Sequence, residues 1–191
     1  MVQEIEMESK NLLTKQEYKD LIHYFNLDTE VPKKQVNYYF ETPDFHLKNT
    51  GSALRIREKN GQWTLTLKQP YHEGLLETHD QLTETEAKQA TNDQIIDKPN
   101  VGKQLKQLKV DRTTIQYMGS LETHRFEVPY KNGLVVIDFS KFNGYSDYEL
   151  EIESSSKLTS ETIMKELAEI LDISIKHTPN KIERFYHTLQ K

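Results

Sequence analysis

The chain reads as an α+β protein or a closed barrel, made of mostly antiparallel strands with helices set between them. Three observations predict this. Two Asn-Gly pairs, Asn60-Gly61 and Asn132-Gly133, sit between alternating apolar and polar runs, as β-hairpins require. The stretches "EIEMESK" (4–10) and "DYELEIES" (147–154) alternate residue by residue, so each has one apolar and one charged face. Helical spacing appears only in the intervals between such runs.

In order, "EIEMESK" opens the chain as a strand. Thr14-Lys15-Gln16-Glu17 has the spacing of a capping box, and Tyr18, Leu21, Ile22 and Phe25 follow at helical intervals, predicting a helix over roughly 14–26. "VNYYFETP" is a strand ended by Pro43. Residues 52–69 form the clearest hairpin, with Asn60-Gly61 as a type I′ turn. "LLETHDQL" is a further strand, Thr83 to Glu86 marks a helix start, and short helices are expected up to about 109. A second hairpin, "HRFEVPYKNGLVVIDFSKF", turns at Asn132-Gly133, with Pro129 weakening its first strand. "DYELEIES" is a strand, 160–171 a helix, and "NKIERFYHTLQ" a short helix. Without a Gly/Ser/Pro linker or a repeat, residues 1–191 are expected to form one domain.

Hydrophobic residues make up only 35% and charged residues 29%, yet ten tyrosines and seven phenylalanines favour a folded chain over a disordered one. A net charge of −5 disfavours nucleic-acid binding through an overall basic surface, while leaving room for a local basic pocket. The absence of cysteine excludes disulfides, thiolate nucleophiles and cysteine metal sites, and fits a reducing cytoplasm. No signal peptide or transmembrane run is seen, so a soluble cytoplasmic protein with no membrane partner is expected, as a monomer or homodimer.

The polar faces carry the functional information. With a two-residue turn, Arg57 lies opposite Thr64 and Arg55 opposite Thr66, with Lys68 further along the same face. Leu54, Ile56, Trp63, Leu65 and Leu67 share the other face, an expected core. The same rule in the second hairpin sets Glu127 opposite Asp138 and Arg125 opposite Ser140, leaving Arg125 diagonal to Asp138. Glu149, Glu151 and Glu153 share one face of the last strand. A solvated sheet face is the simple account of any one strand. Segregation of sign by strand speaks against it, because aligned like charges repel without compensation. If these faces line an interior instead, carboxylates there suit Mg²⁺ and Arg and Lys suit phosphate oxygens, so a polyphosphate with its metal would satisfy both.

In that order along the chain, these residues resemble the CYTH family, part of the triphosphate tunnel metalloenzymes. The family's Glu-x-Glu-x-Lys strand is matched by Glu6, Glu8 and Lys10. Its paired basic strand is matched by Arg55 and Arg57, and the next lysine by Lys68 in "TLTLKQP". Glu77 in "LLET", Arg125 in "HRFEV", Asp138 in "VVIDFSKF", Glu149 and Glu151 in "YELEIE", and Lys181 in "TPNKIERF" continue the series. Glu151 and Glu153 are the alternative pair at the last acidic strand. The resemblance implies a closed eight-stranded antiparallel barrel, a triphosphate tunnel with peripheral helices, over one CYTH domain.

It also implies Mg²⁺- or Mn²⁺-dependent hydrolysis of a small-molecule triphosphate, first of all inorganic triphosphate. Lys10, Arg55, Arg57, Lys68, Arg125 and Lys181 would bind phosphate, with Lys10, Lys68 and Arg57 closest to the chemistry. Glu6, Glu8, Glu149 and Glu151 would hold metal, assisted by Asp138 and Glu77. Thiamine triphosphate hydrolysis, class IV adenylate cyclase activity and non-catalytic polyphosphate or nucleotide binding are the alternatives. Outside this set, the seven histidines lack ligand spacing and read as surface or loop residues. Ser154-Ser155-Ser156 reads as a loop, Trp63 as core, and Arg184 as either a phosphate contact or a solvated side chain.

Overall fold

The computed structural model describes residues 3–92, 95 and 97–189. Met1, Val2, Gln190, Lys191 and, within the expected run of short helices, Asp93, Gln94 and Ile96 lie outside the described residues. The strands are β1 (Gln3–Leu13), β2 (Lys33–Glu41), β3 (Ala53–Lys59), β4 (Gln62–Tyr71), β5 (Gly74–Leu82), β6 (Gln116–Tyr130), β7 (Gly133–Phe142) and β8 (Tyr145–Ser154). The helices are α1 (Lys15–Tyr24), α2 (His46–Asn49), α3 (Glu84–Asn92), α4 (Pro99–Gln107), α5 (Lys157–Leu171) and α6 (Lys181–Leu189). Hydrogen bonding joins the strands in the order β1-β5-β4-β3-β2-β6-β7-β8 and closes them as an antiparallel barrel. Within this arrangement the chain divides into two compact units. One comprises the segment up to Ile5 together with Gln35–Leu121; the other comprises Glu6–Lys34 and everything from Glu122 onward.

In the first unit, β3 and β4 pair with Arg57 opposite Thr64 and Arg55 opposite Thr66, as the sequence predicts. Asn60 and Gly61 both take positive φ, +54° and +75°, the conformation of a type I′ turn. One face of this sheet sets Leu54, Ile56, Leu65 and Leu67 against Ala87, Ala90, Val101 and Leu105 of α3 and α4, with Trp63 packed at the margin. Buried carboxylates fasten two of the helices. Asp80 accepts from the amides of Asn100 and Val101 at the start of α4 (3.1 and 2.7 Å), and Glu41 accepts from those of Leu47 and Lys48 in α2 (3.0 and 2.9 Å). The short helix α2 is absent from the sequence expectation.

In the second unit, Val135, Ile137, Leu150 and Ile152 form one face with Leu21 of α1 and Ile163, Met164 and Leu167 of α5. The Thr14–Glu17 capping box is made in full at the start of α1. Strand β6 begins at Gln116, well before the expected start at His124. The second hairpin corrects the sequence reading: Tyr130 pairs with Gly133, so the turn is Lys131-Asn132, and Arg125 lies directly opposite Asp138 rather than diagonal to it. Asn143-Gly144, unused in the sequence expectation, makes the next hairpin, with φ of +47° and +79°. No helix among the described residues is long and apolar enough to cross a membrane.

Candidate functional site

In the second unit, alternation on β8 puts Glu149, Glu151 and Glu153 opposite in direction to Leu150 and Ile152. The helices cover the apolar side, but the charged side is also withdrawn from water: Glu149 is buried completely and Asp138 on the adjacent strand likewise. Arg125 grips Asp138 with two parallel bonds, Nε to Oδ1 at 2.8 Å and Nη2 to Oδ2 at 2.7 Å, and reaches Glu151 at 2.9 Å. Lys181, the first residue of α6, places its Nζ 2.5 Å from Asp138, 2.8 Å from Glu149 and 3.2 Å from Glu151. Burial opposes the charge on Lys181 and Arg125, yet the carboxylates outweigh it and hold both pKa values above the ordinary range.

One turn along α6, Arg184 spans Asp147 at 2.8 Å and both oxygens of Glu149 at 3.0 Å. It is therefore an ion-paired side chain, not a solvated one. Asp147 itself is missing from the sequence-derived set, although it shares the alternating face of Glu149. Its position at the strand's start, before the Glu-x-Glu run, gave no separate signal.

Strand β1 lies on the other side of β8, with Glu8 opposite Glu153 and Lys10 opposite Glu151. Lys10 bonds Glu8 at 3.0 Å and also donates to Asn180. Burial, followed by repulsion from Glu6 and Glu151 and a smaller push from Glu8, drives the Glu153 carboxyl up to about 7, against the pull of Arg125. Carboxylates gathered on adjoining strands offer the all-oxygen donor set that a hard divalent cation takes, so Glu6, Glu8, Glu151 and Glu153 fit such an ion. Among the described residues, Asp138, Glu149 and Glu151 also bring one carboxylate oxygen each within 4.8 Å of one another. Lys181 and the two arginines hold those three.

The first unit collects the other sign. Lys68 on β4 pairs with Glu77 on β5, and Arg55, Thr66 and His79 form a row across β3, β4 and β5. Arg55 Nη2 lies 3.3 Å and Lys68 Nζ 3.5 Å from Glu77 Oε1. Arg57 donates from Nε to Oδ1 of buried Asn37 at 3.0 Å, which aims the guanidinium along its strand's polar face. Burial disfavours the Glu77 charge, but Arg55, Lys68, Arg57 and His79 together bring its pKa down to about 2. Glu77, grouped with the metal carboxylates in the sequence expectation, thus stands among cations. His79 lies in the same row, 3.1 Å from Glu4, and is not the loop or surface histidine the spacing suggested.

Comparison with known proteins gives these faces a context. The family model for the CYTH domain matches residues 4–186. A protein of Bacillus subtilis named "Putative triphosphatase YjbK" is 41% identical over 191 residues, covering 100% of this chain and 99% of that protein. A crystal structure from Bacillus halodurans, described as a "putative adenylate cyclase", superimposes with a TM-score of 0.93 at 40% identity, covering 97% of this chain and 100% of that one. A Hippeastrum protein, described as a "putative adenylyl cyclase" with a dominant triphosphatase activity, matches with a TM-score of 0.79 over 95% of each chain. At 18% identity that last likeness concerns the fold alone.

Proposed function

Because the chain belongs to the CYTH domain family, we propose that it is a divalent-metal-dependent triphosphatase, acting on inorganic triphosphate before thiamine triphosphate or ATP. The observation that carries this reading is Glu153, whose carboxyl is pushed up to about 7 by burial and by the neighbouring Glu6, Glu151 and Glu8. Repulsion on a buried carboxyl costs stability, and a bound cation would remove that cost. The triphosphatase name of the 41% identical relative agrees with it.

Glu6, Glu8 and Glu151 hold Mg²⁺ or Mn²⁺ in this reading, with Glu153 as the fourth carboxylate. Glu149 and Asp138, committed to Arg184, Lys181 and Arg125, serve mainly to fix those cations. A bound divalent ion supplies charge neutralisation and polarisation of the phosphate oxygens. Lys10, Arg55, Arg57, Lys68, Arg125 and Lys181 bind phosphate oxygens, the arginines through planar forks and the lysines as point charges. Glu77 orients Arg55 and Lys68 by ion-pairing with both. Its depressed pKa keeps it charged through the neutral range, so those two cations stay aimed at one place.

The test measures phosphate release from tripolyphosphate, thiamine triphosphate and ATP, with and without Mg²⁺ or Mn²⁺, together with cyclic AMP. Metal-dependent phosphate release is expected, and Glu6→Gln and Glu8→Gln should each reduce it by at least about 100-fold while the protein stays folded. Near-normal turnover in both variants overturns the metal assignment. Tight binding without turnover favours a polyphosphate-binding module, and cyclic AMP as the main product from ATP favours the cyclase.

A further inference from the structure

Glu4 has no part in the reaction just described, although it shares the β1 face of Glu6 and Glu8. The structure gives it company. We infer that Glu4, Glu77 and His79 form a further divalent-cation site, one for a borderline transition ion such as Zn²⁺ or Co²⁺ rather than for Mg²⁺.

The geometry is that of three converging ligands. His79 Nε2 lies 3.1 Å from Glu4 Oε1 and 3.6 Å from Glu77 Oε2, and one ligand atom from each residue lies within 4.8 Å of the others. Ligands about 2.1 Å from a metal, at tetrahedral or right angles, sit roughly 3.0–3.4 Å apart, so the set needs only a small closure.

Neighbouring side chains prepare the donors. Thr66 Oγ1 stands 2.9 Å from His79 Nδ1. When that hydroxyl accepts a hydrogen bond from Nδ1–H, the Nε2 lone pair faces two carboxylate oxygens, and a metal ion satisfies the three acceptors in place of a ring proton. Glu77 is divided between two tasks: its Oε1 is taken by Arg55 and Lys68, and its Oε2 faces His79. The imidazole decides the metal class, since nitrogen donors suit zinc and cobalt and are poor ligands for magnesium. Glu4 is 57% exposed at its side chain, so an ion reaches the site from solvent.

The inference does not depend on triphosphate turnover, and its test is spectroscopic. The Glu6→Gln/Glu8→Gln double variant removes two of the four carboxylates assigned to the reaction's metal, leaving Glu151 and Glu153. In it, Zn²⁺ should shift the His79 imidazole resonances in long-range proton–nitrogen spectra, with Nε2 moving to a metal-bound value, while equal Mg²⁺ leaves them in place. Co²⁺ should give visible absorption at one equivalent. Adding Glu4→Gln should weaken binding by about 10-fold or more, and Thr66→Val, which retains the fold's bulk, should do so through the tautomer. If Nε2 stays protonated and unshifted in Zn²⁺, or if Zn²⁺ binding is unaltered by Glu4→Gln and Thr66→Val, the cluster is a hydrogen-bonded Glu–His–Glu group and the site does not exist.

Discussion

Without a divalent cation, Glu153→Gln is expected to stabilise the protein above neutral pH. The unfolded chain releases this proton near 4.5, whereas the folded state keeps it up to about 7. Between those values the folded state holds more protons, so stability declines as pH rises, and the decline is complete above pH 7. An interval of roughly 2.5 pH units at 1.36 kcal/mol per unit gives about 3 kcal/mol. Because the side chain is 30% exposed, solvent screening makes this an upper figure. Glutamine cannot ionise and escapes the decline. Urea unfolding in EDTA at pH 5 and pH 8 reads it directly. The two proteins should agree within about 1 kcal/mol at pH 5, and the variant's lead should grow by about 1–3 kcal/mol by pH 8. Excess Mg²⁺ should close the gap by stabilising the unmutated protein more. A variant less stable at pH 8, or a gap independent of pH, would refute the repulsion argued for Glu6, Glu8, Glu151 and Glu153.

Arg125→Met leaves fully buried Asp138 dependent on Lys181 and should cost about 3–5 kcal/mol in urea unfolding; a loss under about 1 kcal/mol would mean that water replaces the guanidinium. Glu77→Gln should destabilise the protein at neutral pH, and the difference should shrink as pH falls from 4.5 toward 2, where the native carboxylate itself takes up a proton. A difference that stays constant through acid unfolding would separate Glu77 from its cations. Asp80→Ala strips the amides of Asn100 and Val101 of their acceptor and should cost about 2 kcal/mol, with hydrogen exchange rising first at the start of α4. Unchanged exchange there would place the stabilisation elsewhere.

The first hairpin was legible because its Asn-Gly fits one turn and its strands have one apolar face. The second was harder for a definite physical reason. "YKNGL" accommodates a two-residue turn at Asn132-Gly133 or at Lys131-Asn132, and the two registers differ by two residues. A two-residue slip keeps every side chain on its face, so hydrophobic alternation cannot choose between them. Packing makes the choice: a Cβ on Gly133 would come within 3.0 Å of the Glu153 carbonyl oxygen and of Ile163 Cδ1. Gly133 therefore serves the approach of β7 to β8 and α5, and Lys131 takes the left-handed conformation, φ +52°. The consequence is chemical, since the slip turns Arg125 and Asp138 from diagonal neighbours into a two-bond pair. Charged faces could be read strand by strand, but the partners of Glu77, Arg184 and His79 come from registers and a helix start that alternation does not specify.

The rows of like charge that looked costly in the sequence are costly in the structure too, and unevenly so. In the second unit, Asp138, Asp147 and Glu149 are met at bonding distance by Arg125, Lys181 and Arg184. Of the rest, Glu8 bonds Lys10 and Glu151 shares Arg125 and Lys181, but Glu153 has only a 4.0 Å approach to Arg125. Burial and the nearby carboxylates therefore register at Glu153, whose pKa is raised. In the first unit the arrangement is the reverse, a buried carboxylate, Glu77, set beside Arg55, Arg57 and Lys68. A divalent cation beside Glu153 would relieve the repulsion that raises its pKa, so the stability given up in the cation-free chain is recovered on binding.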